Sequence, residues 1–128
     1  MTAATVTVPT IAARLGLAAV ASMAVNAVIA LVAGALDTGG IGVGLSPLEY
    51  LPFTVLGVLL GTAGYLLVSR YAPKALRVVV PAVLVLTWIP DLLQLNAGAT
   101  GANVAGLMLM HAVVAVSVVT ALRGWAHR

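Results

Sequence analysis

Four apolar runs separated by short turns leave this chain almost nothing with which to build a water-facing shell. The runs cover about Ile11 to Leu36, Pro47 to Tyr71, Lys74 to Ile89 and Ala102 to Leu122. Of the 128 residues, 62% are hydrophobic and only 7% charged, and mean hydropathy is +1.18. A run of about 20 such residues crosses a hydrocarbon core roughly 30 Å thick. Strands would show alternating apolar and polar residues, and these runs do not. Backbone polar groups in lipid must be satisfied within the segment itself, so each run reads as a helix. The expected fold is an all-α membrane protein, a single antiparallel four-transmembrane-helix bundle over residues 1–128.

The few charges carry orientation. All six basic residues fall near the amino-terminal end, in the 70–77 turn or at the carboxyl-terminal end. The three acids, Asp37, Glu49 and Asp91, fall on the other side. Basic loops stay in the cytoplasm. The expected location is therefore the inner membrane, with four passes and both termini cytoplasmic. An isoelectric point near 10.0 invites a nucleic-acid reading. The basic residues are split over three short segments and form no continuous patch, so no nucleic-acid partner is expected. There are no cysteines, which excludes disulfides, thiolate metal sites and dithiol redox chemistry. The first run exceeds a typical leader's apolar stretch and carries Asn26 near its middle, so it reads as a span.

Local signals mark the turns. Asp37 to Ser46 is glycine-rich, and Ser46-Pro47-Leu48-Glu49 reads as a capping box opening the second span. Gly57, Gly61 and Gly64 recur at helical spacing, and Gly57-xxx-Gly61 would let another helix approach closely. That face is a candidate seam for helix packing, for a homo-oligomer or for a larger membrane complex. Pro81 lies inside the third span, and Pro90-Asp91 is expected to close it.

Depth along the helices singles out two polar residues. Asn26 lies ten residues before Leu36, and His111 nine residues after Ala102. Both come out about 14–15 Å below the same side at ~1.5 Å per residue. Ser22, Asn26, Ala30 and Gly34 recur every fourth residue, which turns Asn26 towards a small-residue seam. Asn26 and His111 are thus expected to meet near the midplane.

Two readings of that meeting stand. In the leading one they hydrogen-bond each other across helices and fix the pairing, worth about 0.6 kcal/mol on average. In the other they floor a pocket for a lipophilic small molecule, with Thr87, Trp88 and Asp91 nearer its mouth and Met108 beside the imidazole. His111 is then the candidate catalytic group, a base or a hydrogen-bonding group in non-redox chemistry. Asp91 either orients it through a water, caps the segment after Pro90, or sits among headgroups. Met108 and Met110 flank His111, but no cysteine or second deep histidine supports copper, and no partner for haem ligation is visible. No metal and no cofactor are expected.

Several short stretches carry a resemblance. Phe53-Thr54-Val55-Leu56-Gly57, Arg70, Ile89-Pro90-Asp91-Leu92, and Leu107-Met108-Leu109-Met110-His111 with Ala115 are similar to a family of small actinobacterial four-helix membrane proteins, known as a domain of unknown function. The resemblance covers about residues 11–123 and implies the four-helix fold without a reaction. Small multidrug exporters share the length and span number, but where they carry a first-span glutamate this chain has Asn26. Pro47-Leu48-Glu49 resembles the Pro-x-Glu element of bacterial carotenoid cyclase subunits, whose second acid is replaced here by Tyr50.

The expected role is therefore that of a structural or accessory membrane protein surrounded by lipid. A lipophilic-ligand pocket at His111 is the alternative, and a small transporter comes third. Whether the protein is an enzyme is left open by these residues.

Overall fold

A computed structural model describes residues 7–123. Four helices carry the fold: α1 (Val8–Leu36), α2 (Pro47–Tyr71), α3 (Leu76–Leu93) and α4 (Gly101–Ala121). Single 3₁₀ turns at Pro73–Ala75 and Gln94–Ala97 lead into and out of α3. Each of the four segments is long and apolar enough to cross a membrane. The expected all-α, four-helix architecture of a multi-pass membrane protein is present.

The ends follow from local chemistry. Thr7 Oγ1 accepts the Thr10 N–H at 3.4 Å at the start of α1, and Thr100 Oγ1 accepts the Asn103 N–H at 3.2 Å at the start of α4. Side-chain oxygens there satisfy amides that have no partner within the helix. The capping box at α2 needs correction. Ser46 stands at the cap position but makes no side-chain cap bond. Glu49 instead reaches back to the backbone N–H of Gly44, where φ is +74° and a glycine is favoured.

The third span also differs from expectation. Pro90 does not end it; α3 continues to Leu93, and with its flanking turns the apolar segment covers Pro73–Ala97. A proline costs one backbone hydrogen bond, which a membrane helix tolerates when neighbouring groups compensate. Asp91 therefore lies inside a helix and not in a loop.

α4 is the hub. It packs most extensively on α1 and also contacts α3 and α2, whereas α3 touches α2 only lightly. The α1–α4 seam is lined by small residues. A Cβ built on Gly106 would stand 2.8 Å from the Ala33 Cβ, so this glycine sets how closely the two helices approach. Buried Ala18, Ser22, Asn26, Ala30 and Ala33 form the inner stripe of α1, while Gly34 is exposed. The stripe drifts off the fourfold spacing because a helix turns every 3.6 residues.

Along the bundle, the interior changes character. Towards the start of α1 and the end of α4 it is apolar, built on Ile11, Val58, Val118 and Leu122 with Tyr65 and Leu66 against them. Towards the opposite end buried polar groups, Asn26, Thr54, Asp91 and Asn103, lie among apolar ones such as Ala30, Ala33, Val104 and Met110. Large apolar side chains such as Leu17, Leu31, Phe53, Leu67 and Leu86 cover the outside. That is the reverse of a water-soluble surface and fits acyl chains as solvent.

Candidate functional site

Asn26 and His111 do not form one centre. Asn26 is 1% exposed, and its Nδ2 donates to Thr54 Oγ1 of α2 at 2.9 Å. Thr54 in turn donates to the Tyr50 carbonyl at 2.6 Å. Asn26 Oδ1 and Ser22 Oγ, one turn away, have no protein partner. No hydrogen bond joins Asn26 to His111 among the described residues. The helical rise places both at similar depth, but rise says nothing about rotation. α4 is apolar on every side, so its sequence does not show which face meets which neighbour.

His111 faces α3. Its Nδ1 lies 3.0 Å from the Leu107 carbonyl and 2.8 Å from Asp91 Oδ2. Only the first has hydrogen-bonding geometry, since Oδ2 is left without a formal partner. The second is a close approach of carboxyl to ring. A carbonyl can only accept, so Nδ1 carries the proton, and in the neutral ring the lone pair is at Nε2. The two side chains differ sharply in access: the histidine is 42% exposed and the aspartate 9%.

Asp91 was expected nearer the mouth, orienting His111 through a water, capping the segment after Pro90 or sitting among headgroups. The structure brings it into direct contact, for a reason in helix geometry. Side chains lean towards the amino-terminal end of their own helix. α3 and α4 run in opposite directions, so Asp91 and His111 lean towards each other and close the gap that the Cα depths imply. The same lean carries His111 Nδ1 back to the carbonyl four residues before it.

The remaining candidates distribute around this pair. Trp88, expected near the pocket mouth, is half-buried and donates its indole N–H to the Met108 carbonyl at 3.0 Å, a second polar tie between α3 and α4. Thr87 turns its hydroxyl onto the Leu84 carbonyl of its own helix at 2.6 Å. It lines no shared centre with Asn26. Gly57 and Gly61 face α4: a Cβ at Gly57 would meet Val114 at 3.3 Å, and one at Gly61 would meet Val118 at 3.5 Å. The expected packing seam thus serves α2 against α4 within the chain, while Gly64 faces open space. His111, Asp91, Trp88 and Met108 come together; Asn26, Thr87 and the glycines lie elsewhere. Among the described residues no cluster of three or more His, Cys, Asp or Glu side chains could hold a metal ion.

A third polar cluster was missed. Asn103, fully buried, accepts the Val43 N–H at 2.9 Å and donates to the Val43 carbonyl at 2.7 Å. Thr100 donates to Asp37 beside it. Together they tie the glycine-rich α1–α2 loop onto the start of α4. The signal was available: an amide one turn into an apolar run seeks a partner, the same rule that drew attention to Asn26.

No protein-family model, no curated protein and no solved structure matches the chain.

Proposed function

We propose that this is a multi-pass inner-membrane protein that presents an aspartate-flanked imidazole to a lipophilic molecule bearing an O–H or N–H group. The observation that carries the reading is the contrast within the pair. The Leu107 carbonyl engages Nδ1 and the Asp91 carboxyl lies close beside it, while the imidazole side chain stays 42% exposed. A histidine serving only to join helices gains most by being enclosed, because a polar ring facing acyl chains lacks partners. Left open, Nε2 can accept a hydrogen bond or a proton from a ligand arriving through the bilayer. The Asp91 carboxyl, 2.8 Å from Nδ1, lies against the ring on the side away from Nε2.

His111 lies ten residues into α4, about 15 Å from its start at ~1.5 Å per residue. Such a depth selects ligands that partition into the membrane. Both termini are assigned to the cytoplasm by the basic residues: Arg14 and Arg123 meet at one end, while Asp37, after α1, and Glu49, in the first turn of α2, lie at the other.

The test is mass spectrometry of small molecules that co-purify with the full chain in mild detergent. A lipophilic hydrogen-bond donor should be enriched with the unmodified protein and fall at least tenfold with His111→Ala. Thermal stability should change little. Identical small-molecule profiles for the two proteins would overturn the reading.

A structural or accessory role is the second reading, and the thin packing of α3 favours it. His111–Asp91 and Trp88–Met108 are the polar ties holding that helix to the hub. Under this reading His111→Ala and Trp88→Phe both loosen α3 and lower thermal stability, with no ligand lost. The resemblance to small actinobacterial four-helix membrane proteins is compatible with either.

A further inference from the structure

The end of the bundle opposite the polar half carries positive charge with no Asp or Glu to answer it. Arg14, Arg70, Lys74, Arg77 and Arg123 all belong there, and the chain's three acids lie in the other half. At this end a groove of about 360 Å³ opens between α1 and α4. Its walls combine two kinds of chemistry. Leu17, Ala21 and Val116 are apolar and small enough to admit a chain, while Arg14, Ser117 and Thr120 supply polar groups. Arg14 gives one N–H to the Arg123 carbonyl at 3.2 Å, which fixes the exposed guanidinium at the groove. A guanidinium has five such donors, in a fork suited to phosphate oxygens.

We propose that this groove binds an anionic phospholipid, with the phosphate on Arg14 and the hydroxyls of Ser117 and Thr120, and an acyl chain along Leu17, Ala21 and Val116. Charge complementarity selects this occupant: basic pockets between membrane helices recognise acidic headgroups, and the apolar wall continues into the hydrocarbon region. The groove lies between α1 and α4 whereas His111 faces α3, so the site stands whether or not that residue binds a ligand.

Native mass spectrometry of the full chain with added phosphatidylglycerol or phosphatidylcholine tests it. Phosphatidylglycerol should be retained at least tenfold better. Arg14→Ala should abolish the preference and Arg14→Lys should keep part of it. Ala21→Leu, which fills the groove and leaves the charge intact, should weaken retention of phosphatidylglycerol. Should Arg14→Ala fail to fold, Ala21→Leu and Thr120→Leu carry the test. Equal retention of the two lipids by the unmodified chain, or an undiminished preference in the groove variants, would overturn the proposal.

Discussion

Two polar centres sit in the same half of this bundle and differ in almost every respect. Asn26–Thr54 joins α1 to α2, is sealed from the surroundings, and involves neutral groups only. Asp91–His111 joins α3 to α4, brings together two titratable groups, and leaves the imidazole substantially exposed. Burial with a neutral partner is the economical way to fix a helix pair, because nothing charged needs desolvation. Exposure of a group that can exchange a proton serves binding better than packing. Under the proposed function the first centre is structural and the second recognises a ligand, and substitutions can separate the two.

The largest effect is expected at the sealed centre. Asn26→Asp places an acid where one donor is available, and should lower stability by about 3 kcal/mol, the scale for an acidic residue at a membrane helix centre. Thermal unfolding in detergent reads this directly. Next comes the loop clamp. Asn103→Ala removes both bonds to Val43 and leaves two backbone groups unpaired, for a loss of about 2 kcal/mol. Faster amide hydrogen exchange across residues 37–46 should accompany it.

A smaller loss, about 1 kcal/mol, is expected for Gly106→Ala, which forces α1 and α4 apart. Gly64→Ala is the control. Its added methyl meets nothing within 4 Å, so it should be neutral or slightly stabilising. Among the polar centres the smallest loss of stability belongs to His111→Ala, under about 1 kcal/mol, the usual worth of a polar contact between membrane helices. That change should nevertheless remove the co-purifying ligand. A loss from His111→Ala as large as that from Asn26→Asp would erase the distinction and make both centres structural.

How far residue order alone reached can be judged from the same groups. Asn26 was identified from its place in a small-residue stripe, and it is buried there. His111 was identified as the titratable group within the last apolar run, and its depth followed from the rise. Their partners were not readable. Thr54 and Asp91 were chosen by how far each helix is rotated, and α1, α2 and α4 have no clear apolar face to reveal that angle. Asp91 was further obscured because Pro90 reads as a terminator in water but is tolerated inside a membrane helix.

What residue order determined by itself is the number of long apolar helices and the segregation of charge, since these depend on hydrophobic length and backbone satisfaction. Tertiary structure decided that α4 is the hub, that α3 hangs on it by two polar ties, and that the two deep polar residues serve different seams. Van der Waals fit and a few hydrogen bonds choose among rotations of nearly equal hydrophobicity. That choice emerges only when the helices are packed together.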